Sequence, residues 1–523
     1  MMFRAAFAFV IMVMVSPAWA LSPELANELH RDINNWQVDR VRTKLTPFLN
    51  SDPSDPVVRL LQGRLLFFEG RYAEARVVLD SLAEEMGSAF TGELEFIRQE
   101  VVATHETLKQ FSEQSSPDGR FLIRYMGRDE LLVPYALDVL RRADEVYAKD
   151  FNYRPKGRIV VEIYPEIRYL AAVSPLSEED IETSGTIALC KYNRLMITSP
   201  RALVRGYGWQ DTLAHEFVHY YVNKRSENTV PIWLHEGIAK FQESRWRTQP
   251  GVVLEPPEED LLARSVEADK LITFDQMHPS MAKLPSQEAA GLAFAEVHTV
   301  IGYLFEKHGY VGINKLLDAL RDGAEMDAAL RKAYGLDLDG LWSRWKTHIR
   351  AAKLKTYPGL VQRTLEFKRP GDSDDETPEP SYATIEEKQV KDFAHLGELL
   401  RARGRHRAAI VEYEKAMAIG GEGNPAIQNG AAASLLATGK PERVPTLLKR
   451  VALYYPGLVT THLNIAEAYL ATQRLELALP AFERARDINP FHPRPHHALS
   501  ELYLKAGRAE DAKRETDALE YLK

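Results

Sequence analysis

The chain has 523 residues, 66 Lys and Arg against 74 Asp and Glu, and a net charge of −8. That length exceeds one ordinary core and implies about three domains, while the mild acidity, spread along the chain, excludes the basic footprint of a nucleic-acid binder. The single cysteine, Cys190, excludes an internal disulfide.

Residues 1–20 read as an export signal. Arg4 supplies the positive start, residues 5–15 the apolar core, and Ala18-Trp19-Ala20 a small-x-small cleavage site, so cleavage is expected after Ala20. No cysteine follows that site to carry a lipid, and no later apolar run approaches the length needed to cross a bilayer. The expectation is a periplasmic or secreted protein with no membrane anchor after signal cleavage.

Residues 21–115 are predicted to be helical. Gly63, Gly70 and Ala75 are spaced by seven and then five residues, and the same spacing returns at Gly397, Gly404 and Ala409 and at Ser500, Gly507 and Ala512. Small residues at these offsets let two antiparallel helices approach closely. The pattern resembles the tetratricopeptide repeat, whose period is about 34 residues.

A small mixed sheet follows. Residues 120–125 and 158–164 read as strands flanking a helix over 130–149, and residues 185–190 and 194–198 as a hairpin turning at Lys191-Tyr192-Asn193.

The next helix carries His215-Glu216-Phe217-Val218-His219, with Asp211 or Thr212 as its N-cap. Helix positions four apart lie one above the other, so His215 and His219 can offer imidazole nitrogens to one point. Glu216 falls on the next ridge, close enough to touch a water held by a metal without ligating it, as a general base must. After a polar turn, Pro231 suits a first helical position and Ile232-Trp233-Leu234-His235-Glu236-Gly237-Ile238-Ala239 opens a second helix. Hydrolytic zinc takes three protein ligands and leaves a position for water, and His-His-Glu is a standard set, which Glu236 would complete.

These two segments resemble the gluzincin metallopeptidases, specifically the peptidase MA-like domains of bacterial proteins with tetratricopeptide repeats. The family's Trp-Leu-x-Glu-Gly-x-Ala helix after HExxH is matched by Trp233 to Ala239. The resemblance implies one zinc ion held by His215, His219 and Glu236, with Glu216 as the base. It also implies an upper lobe whose edge strand pairs with an extended peptide through backbone hydrogen bonds, and the hairpin at 185–198 is the candidate edge. His235 points about 100° from Glu236 on its helix and is read as structural.

Beyond Trp246 the chain is polar and Pro-bearing to Pro285, a long excursion that either covers the cleft or is a surface insertion. Helices return at 293–308, at 311–321 and around Leu341, Trp342 and Trp345, forming a lower lobe. Two positions depart from the family. Phe294 stands where a Tyr is common, removing a donor for the oxyanion, and His298, four residues on, is the candidate substitute as a catalytic group. Lys240 stands where some members carry an Asp that fixes a histidine ligand, leaving Glu243 or Asp211 to supply that hydrogen bond.

The acidic, Pro-containing stretch around Asp372 to Pro380 predicts an exposed linker over 366–384. Residues 385–523 then repeat: Ala409, Val444, Ala478 and Ala512 step by 35, 34 and 34, and Tyr413, Phe482 and Pro490 fall on the family's aromatic and Pro positions.

The sequence therefore predicts a multidomain chain, with an α+β zincin-like metallopeptidase domain at 116–365 between α-helical, repeat-bearing solenoid segments. The function that follows is an exported zinc-dependent metallopeptidase acting on a peptide or protein substrate, with its repeats binding a protein partner. The alternative is a non-catalytic periplasmic scaffold with a degenerate metallopeptidase-like domain.

Overall fold

The computed structural model describes residues 21–369 and 385–523, so the export signal and most of the acidic linker lie outside the described residues. The described residues form two compact units, divided after Leu108.

The first unit holds α1 (Pro23–Asn34), α2 (Val38–Ser51), α3 (Pro56–Phe68), α4 (Tyr72–Met86) and α5 (Glu93–Leu108). Ser22 accepts from the Leu25 N–H, and Asp55 from those of Val57 and Val58, each just ahead of a proline in the first turn. The small-residue spacing has the anticipated cause. A Cβ on Gly63 would lie 2.6 Å from the Leu79 side chain of α4, so a larger residue there would have to displace that leucine.

The second unit opens on a five-stranded sheet in the order β1-β2-β3-β5-β4, made of β1 (Ser112–Ser115), β2 (Phe121–Tyr125), β3 (Ile159–Tyr164), β4 (Ala188–Lys191) and β5 (Arg194–Thr198). β2, β3 and β5 run parallel, and β1 and β4 are antiparallel edges. The inner strands are buried at every position, which is why they read as mostly apolar runs, and the charges they carry pair with one another: Arg124 and Arg194 both meet Glu162. β1 escapes the sequence pattern because its Ser-Glu-Gln-Ser is exposed throughout. α6 (Val133–Asp150) makes the crossover that a parallel pair requires, and α7 (Ile167–Ala172) and α8 (Glu178–Ser184) precede the β4–β5 hairpin. That hairpin turns through Tyr192 and Asn193, both at positive φ, as a two-residue loop needs.

α9 (Trp209–Ser226) packs against β4 and β5, and α10 (Ile232–Gln242) lies on α9 and on α12 (Gln287–Arg321), which breaks at Gly309. α11 (Pro256–Glu267), α13 (Met326–Tyr334) and α14 (Leu338–Ala351) complete the lower lobe. The stretch after Trp246 is more ordered than its polarity suggests. It carries α11, and Leu261, Leu262, Met277 and Met281 are buried, too widely spaced to produce a readable period.

Eight helices end the unit: α15 (Lys388–Ala402), α16 (His406–Ala416), α17 (Pro425–Ala437), α18 (Val444–Tyr454), α19 (Val459–Ala471), α20 (Leu475–Ile488), α21 (Pro493–Lys505) and α22 (Ala509–Tyr521). Ala409, Val444, Ala478 and Ala512 are all buried, so the counted period is that of the packing contacts. Several seams join these repeats to the sheet domain. Tyr357-Pro358-Gly359-Leu360 forms a turn with Gly359 at φ 80°, and its Pro358 carbonyl accepts from Arg450 at 2.5 Å and from Tyr454 at 3.2 Å. The same tail then pairs with the segment leading into α9, where Val204 N–H donates to Glu366 at 2.9 Å and Lys368 N–H to Ala202 at 2.8 Å. Closer still to α9, Tyr207 N–H donates to the Ile488 carbonyl at 3.0 Å.

Candidate metal centre

α9 is buried on nearly every side, so its apolar residues do not form one stripe. Its N-cap is Gly208 rather than Asp211 or Thr212. Asp211 sits in the first turn, where a carboxylate suits the helix dipole, and it accepts from Trp246 Nε1 at 2.9 Å and from Arg247. It is thereby removed from the list of partners for a histidine ligand. Pro231 is likewise the cap of α10 rather than its first residue.

His215 and His219 project from successive turns with ring centroids 4.8 Å apart and ring planes at 82°. α10 brings Glu236 to them. A Cβ on Gly237 would lie 2.7 Å from Ile301 and 3.0 Å from the Val297 carbonyl, so the glycine after Glu236 lets α10 settle directly on α12. One oxygen, Glu236 Oε2, is then 3.3 Å from His215 Nε2 and 3.2 Å from His219 Nε2. The Glu236 side chain keeps about a fifth of its exposure, while both histidines are buried.

Those distances fit a shared cation. A charge-assisted hydrogen bond closes to about 2.7–2.9 Å, whereas two ligands each ~2.0–2.1 Å from one tetrahedral zinc stand about 3.3 Å apart. His215 Nδ1 meets Glu243 Oε2 at 3.2 Å. With the proton on Nδ1, the Nε2 lone pair is left to face a cation beside Glu236, and with no cation there a second proton on Nε2 satisfies the same contact. Of the two carboxylates named for this orienting role, Glu243 therefore supplies it.

The electrostatics agree. Burial opposes charge on His215, yet Glu236, Glu243 and Glu216 outweigh it and hold the imidazole up at about 10. Burial likewise opposes charge on Glu236, and His219 and His215 outweigh that to hold its carboxyl well below the usual range. Glu243 is held down at about 2, burial being overcome by Lys240 and His215. The pocket is thus built to attract a cation.

Glu216 differs from its neighbours. It is buried, and burial pushes its carboxyl up to about 7 against the pull of His219 and His215. Its Oε2 has no partner, and neither has His219 Nδ1. Atoms of His215, Glu216 and His219 also lie within 4.8 Å of one another, so Glu216 borders the cluster. Glu236 remains the better third donor, because its single oxygen approaches both rings at once.

His298 does not join this group. Phe294 packs its ring against His215 at 6.0 Å, as the sequence position suggests. A four-residue step, however, moves about 6 Å along α12, to where His298 is buried against Phe241 and bonded to the Gly251 backbone. Burial and Lys240 hold its imidazole down at about 4. Conversely, His235 is closer to the centre than its own helix implies. Its ring stacks on His219 at 4.4 Å and 20°, and Nε2 meets Asn223 Oδ1 at 2.8 Å. The 100° offset is correct for α10 alone, but α9 lies on that side.

Residues 147–351 match the family model of the peptidase MA superfamily, and residues 56–81 and 459–492 match tetratricopeptide repeat models. No curated protein matches the chain. Solved structures with some likeness include MamA 41-end from Desulfovibrio magneticus RS-1, 18% identical over 27% of this chain and 78% of that one, with a TM-score of 0.24. Others are a MamA RS-1 ArsTM double mutant, 16% identical over 40% and 92% with a TM-score of 0.25, and the APC/C hetero-tetramer Cut9-Hcn1, 11% identical over 96% and 67% with a TM-score of 0.21.

Proposed function

We propose that this chain, which carries a peptidase MA superfamily domain between tetratricopeptide repeats, is an exported zinc-dependent metallopeptidase, with His215, His219 and Glu236 holding one zinc ion and Glu216 acting as general base. The observation that carries the reading is the approach of one Glu236 oxygen to both Nε2 atoms at 3.2–3.3 Å, beside a buried, unpartnered Glu216 oxygen.

When bound, zinc polarises a carbonyl and lowers the pKa of a water to about 7. Glu216, a buried carboxylate with a free oxygen beside the ligand cluster, takes the proton of the attacking water and returns it to the leaving amine. β4 is an edge strand with β5 on one side only, so its other side offers backbone groups to an extended peptide with little demand on side chains. Glu243 fixes the His215 ring, and the His235 stack fixes that of His219. The repeats present the domain to a protein partner.

Cleavage of an unfolded protein by the purified chain, with and without chelator, tests the proposal. Glu216→Gln should keep zinc and lose about 10²–10⁴-fold in rate, while His219→Ala loses both zinc and cleavage. Unchanged proteolysis by Glu216→Gln overturns the mechanism. One observation favours a non-catalytic scaffold instead: Phe294, with no hydroxyl, is the ring that touches His215. Under that reading the wild-type chain holds zinc and cleaves nothing.

A further inference from the structure

We propose that Lys240 is a positioning residue for this centre, its ammonium holding Glu243 in place against His215 and tying both to the start of α11. The inference rests on the reading of His215 as a zinc ligand. Lys240 Nζ lies 2.6 Å from Glu243 Oε1 and 3.0 Å from Glu258 Oε1. The remaining oxygen of each carboxylate is committed elsewhere: Glu243 Oε2 to His215 Nδ1 at 3.2 Å, and Glu258 Oε2 to the Glu255 N–H that opens α11, at 3.0 Å. Each group therefore has one bond inward to the ammonium and one outward to an element it fixes.

The three side chains are mostly buried, between 18% and 25% exposed. Without the ammonium, two carboxylates would face each other in a weakly screened pocket, and one would turn away or take up a proton. Glu243 is the one whose displacement frees a ligand ring. An opposing effect exists, since Lys240 is itself a cation near a cation site. Glu243 contacts the ligand directly and Lys240 acts across it, so loss of orientation outweighs relief of repulsion. Beyond α11, Glu255 Oε1 is 3.6 Å from Arg484 of α20, so the same row of charges reaches the C-terminal repeats.

The test uses the full chain with zinc and, separately, cobalt. Lys240→Met should weaken zinc retention in chelator competition by about 10–100-fold, the range for groups that orient metal ligands, and should shift the visible absorption of the cobalt-loaded chain. Lys240→Arg should restore most of the affinity. Glu258→Gln, which keeps the acceptor for the α11 cap, should weaken zinc by a smaller factor, and it carries the test if Lys240→Met fails to fold. Zinc held as tightly as in wild type, with an unchanged cobalt spectrum, overturns the role of Lys240. A wild-type chain that takes up no zinc overturns the ligand assignment itself, and this inference with it.

Discussion

Two buried histidine–glutamate clusters lie in the second unit, one at the candidate metal centre and one where α20–α22 meet α6. In the second, Glu515 Oε2 meets His496 Nδ1 at 2.6 Å and Tyr135 OH at 3.0 Å, Oε1 meets Arg486 at 2.8 Å, and His496 Nε2 reaches the Pro490 carbonyl at 2.7 Å. Every polar atom named there has a short partner, and Arg486 and Arg514 each stand 5.1 Å from the Tyr135 ring centroid. At the first cluster the nitrogen–oxygen distances are 3.2–3.3 Å and two buried atoms have no partner. Both pair buried histidine with glutamate, and distance and the added arginine tell them apart: one cluster is closed by its own charges, and the other leaves room for a cation.

Exchanging substitutions between the clusters should separate them most sharply. Glu236→Ala should cost more zinc affinity than the 10–100-fold commanded by groups that only orient ligands, with little effect on the unfolding midpoint of the metal-free chain. Glu515→Ala should do the reverse, leaving zinc content unchanged while costing about 1–3 kcal/mol, because His496 Nδ1 and Tyr135 OH lose their buried acceptor while Arg486 keeps Asp487 at 2.7 Å. Elemental analysis beside denaturant titration reads both. Equal effects of the two substitutions on zinc would dissolve the distinction.

The two clusters were not equally legible in the sequence. Glu236, on the second helix of the site, was named through the family resemblance of Trp233 to Ala239, whereas His215, Glu216 and His219 could be placed because helical spacing fixes which side chains of one helix are neighbours. The repeat helices were legible for the same reason, with the period counted at Ala409, Val444, Ala478 and Ala512 falling on buried positions. Glu243 could not be chosen over Asp211 because it lies just past the end of α10, where no period constrains it. The pairing of His496 with Glu515, and of both with Tyr135, depends on how the repeats dock, and no local pattern encodes docking. The tail at 354–368 was hidden for a related reason: it has no periodicity, although Pro358-Gly359 signals the turn at its tip.

A buried carboxylate on α12 extends the comparison to pH. Glu515 is opposed by burial, but His496 and Arg486 outweigh it and lower its proton affinity. The stability it contributes is therefore present above its ordinary value of 4.5 and lost as pH falls through the lowered folded value. Glu296 is fully buried with one bond, from the Ile272 N–H at 2.9 Å, and a second oxygen without a partner. Burial pushes it up to about 8 against that single hydrogen bond. Between 4.5 and about 8 the folded chain holds a proton that the unfolded chain has released, so its contribution is complete below 4.5 and gone above about 8. Each tenfold change in proton affinity is worth about 1.4 kcal/mol. Glu296→Gln, neutral at every pH, should remove this slope and stabilise the chain by up to about 5 kcal/mol at pH 8.5, where wild type must bury the charge. Unfolding midpoints of the metal-free chain at pH 5 and pH 8.5 check it: the variant and wild type should agree more closely at the lower value, and a variant that loses stability at the higher one would mean that Glu296 has an ionic partner there.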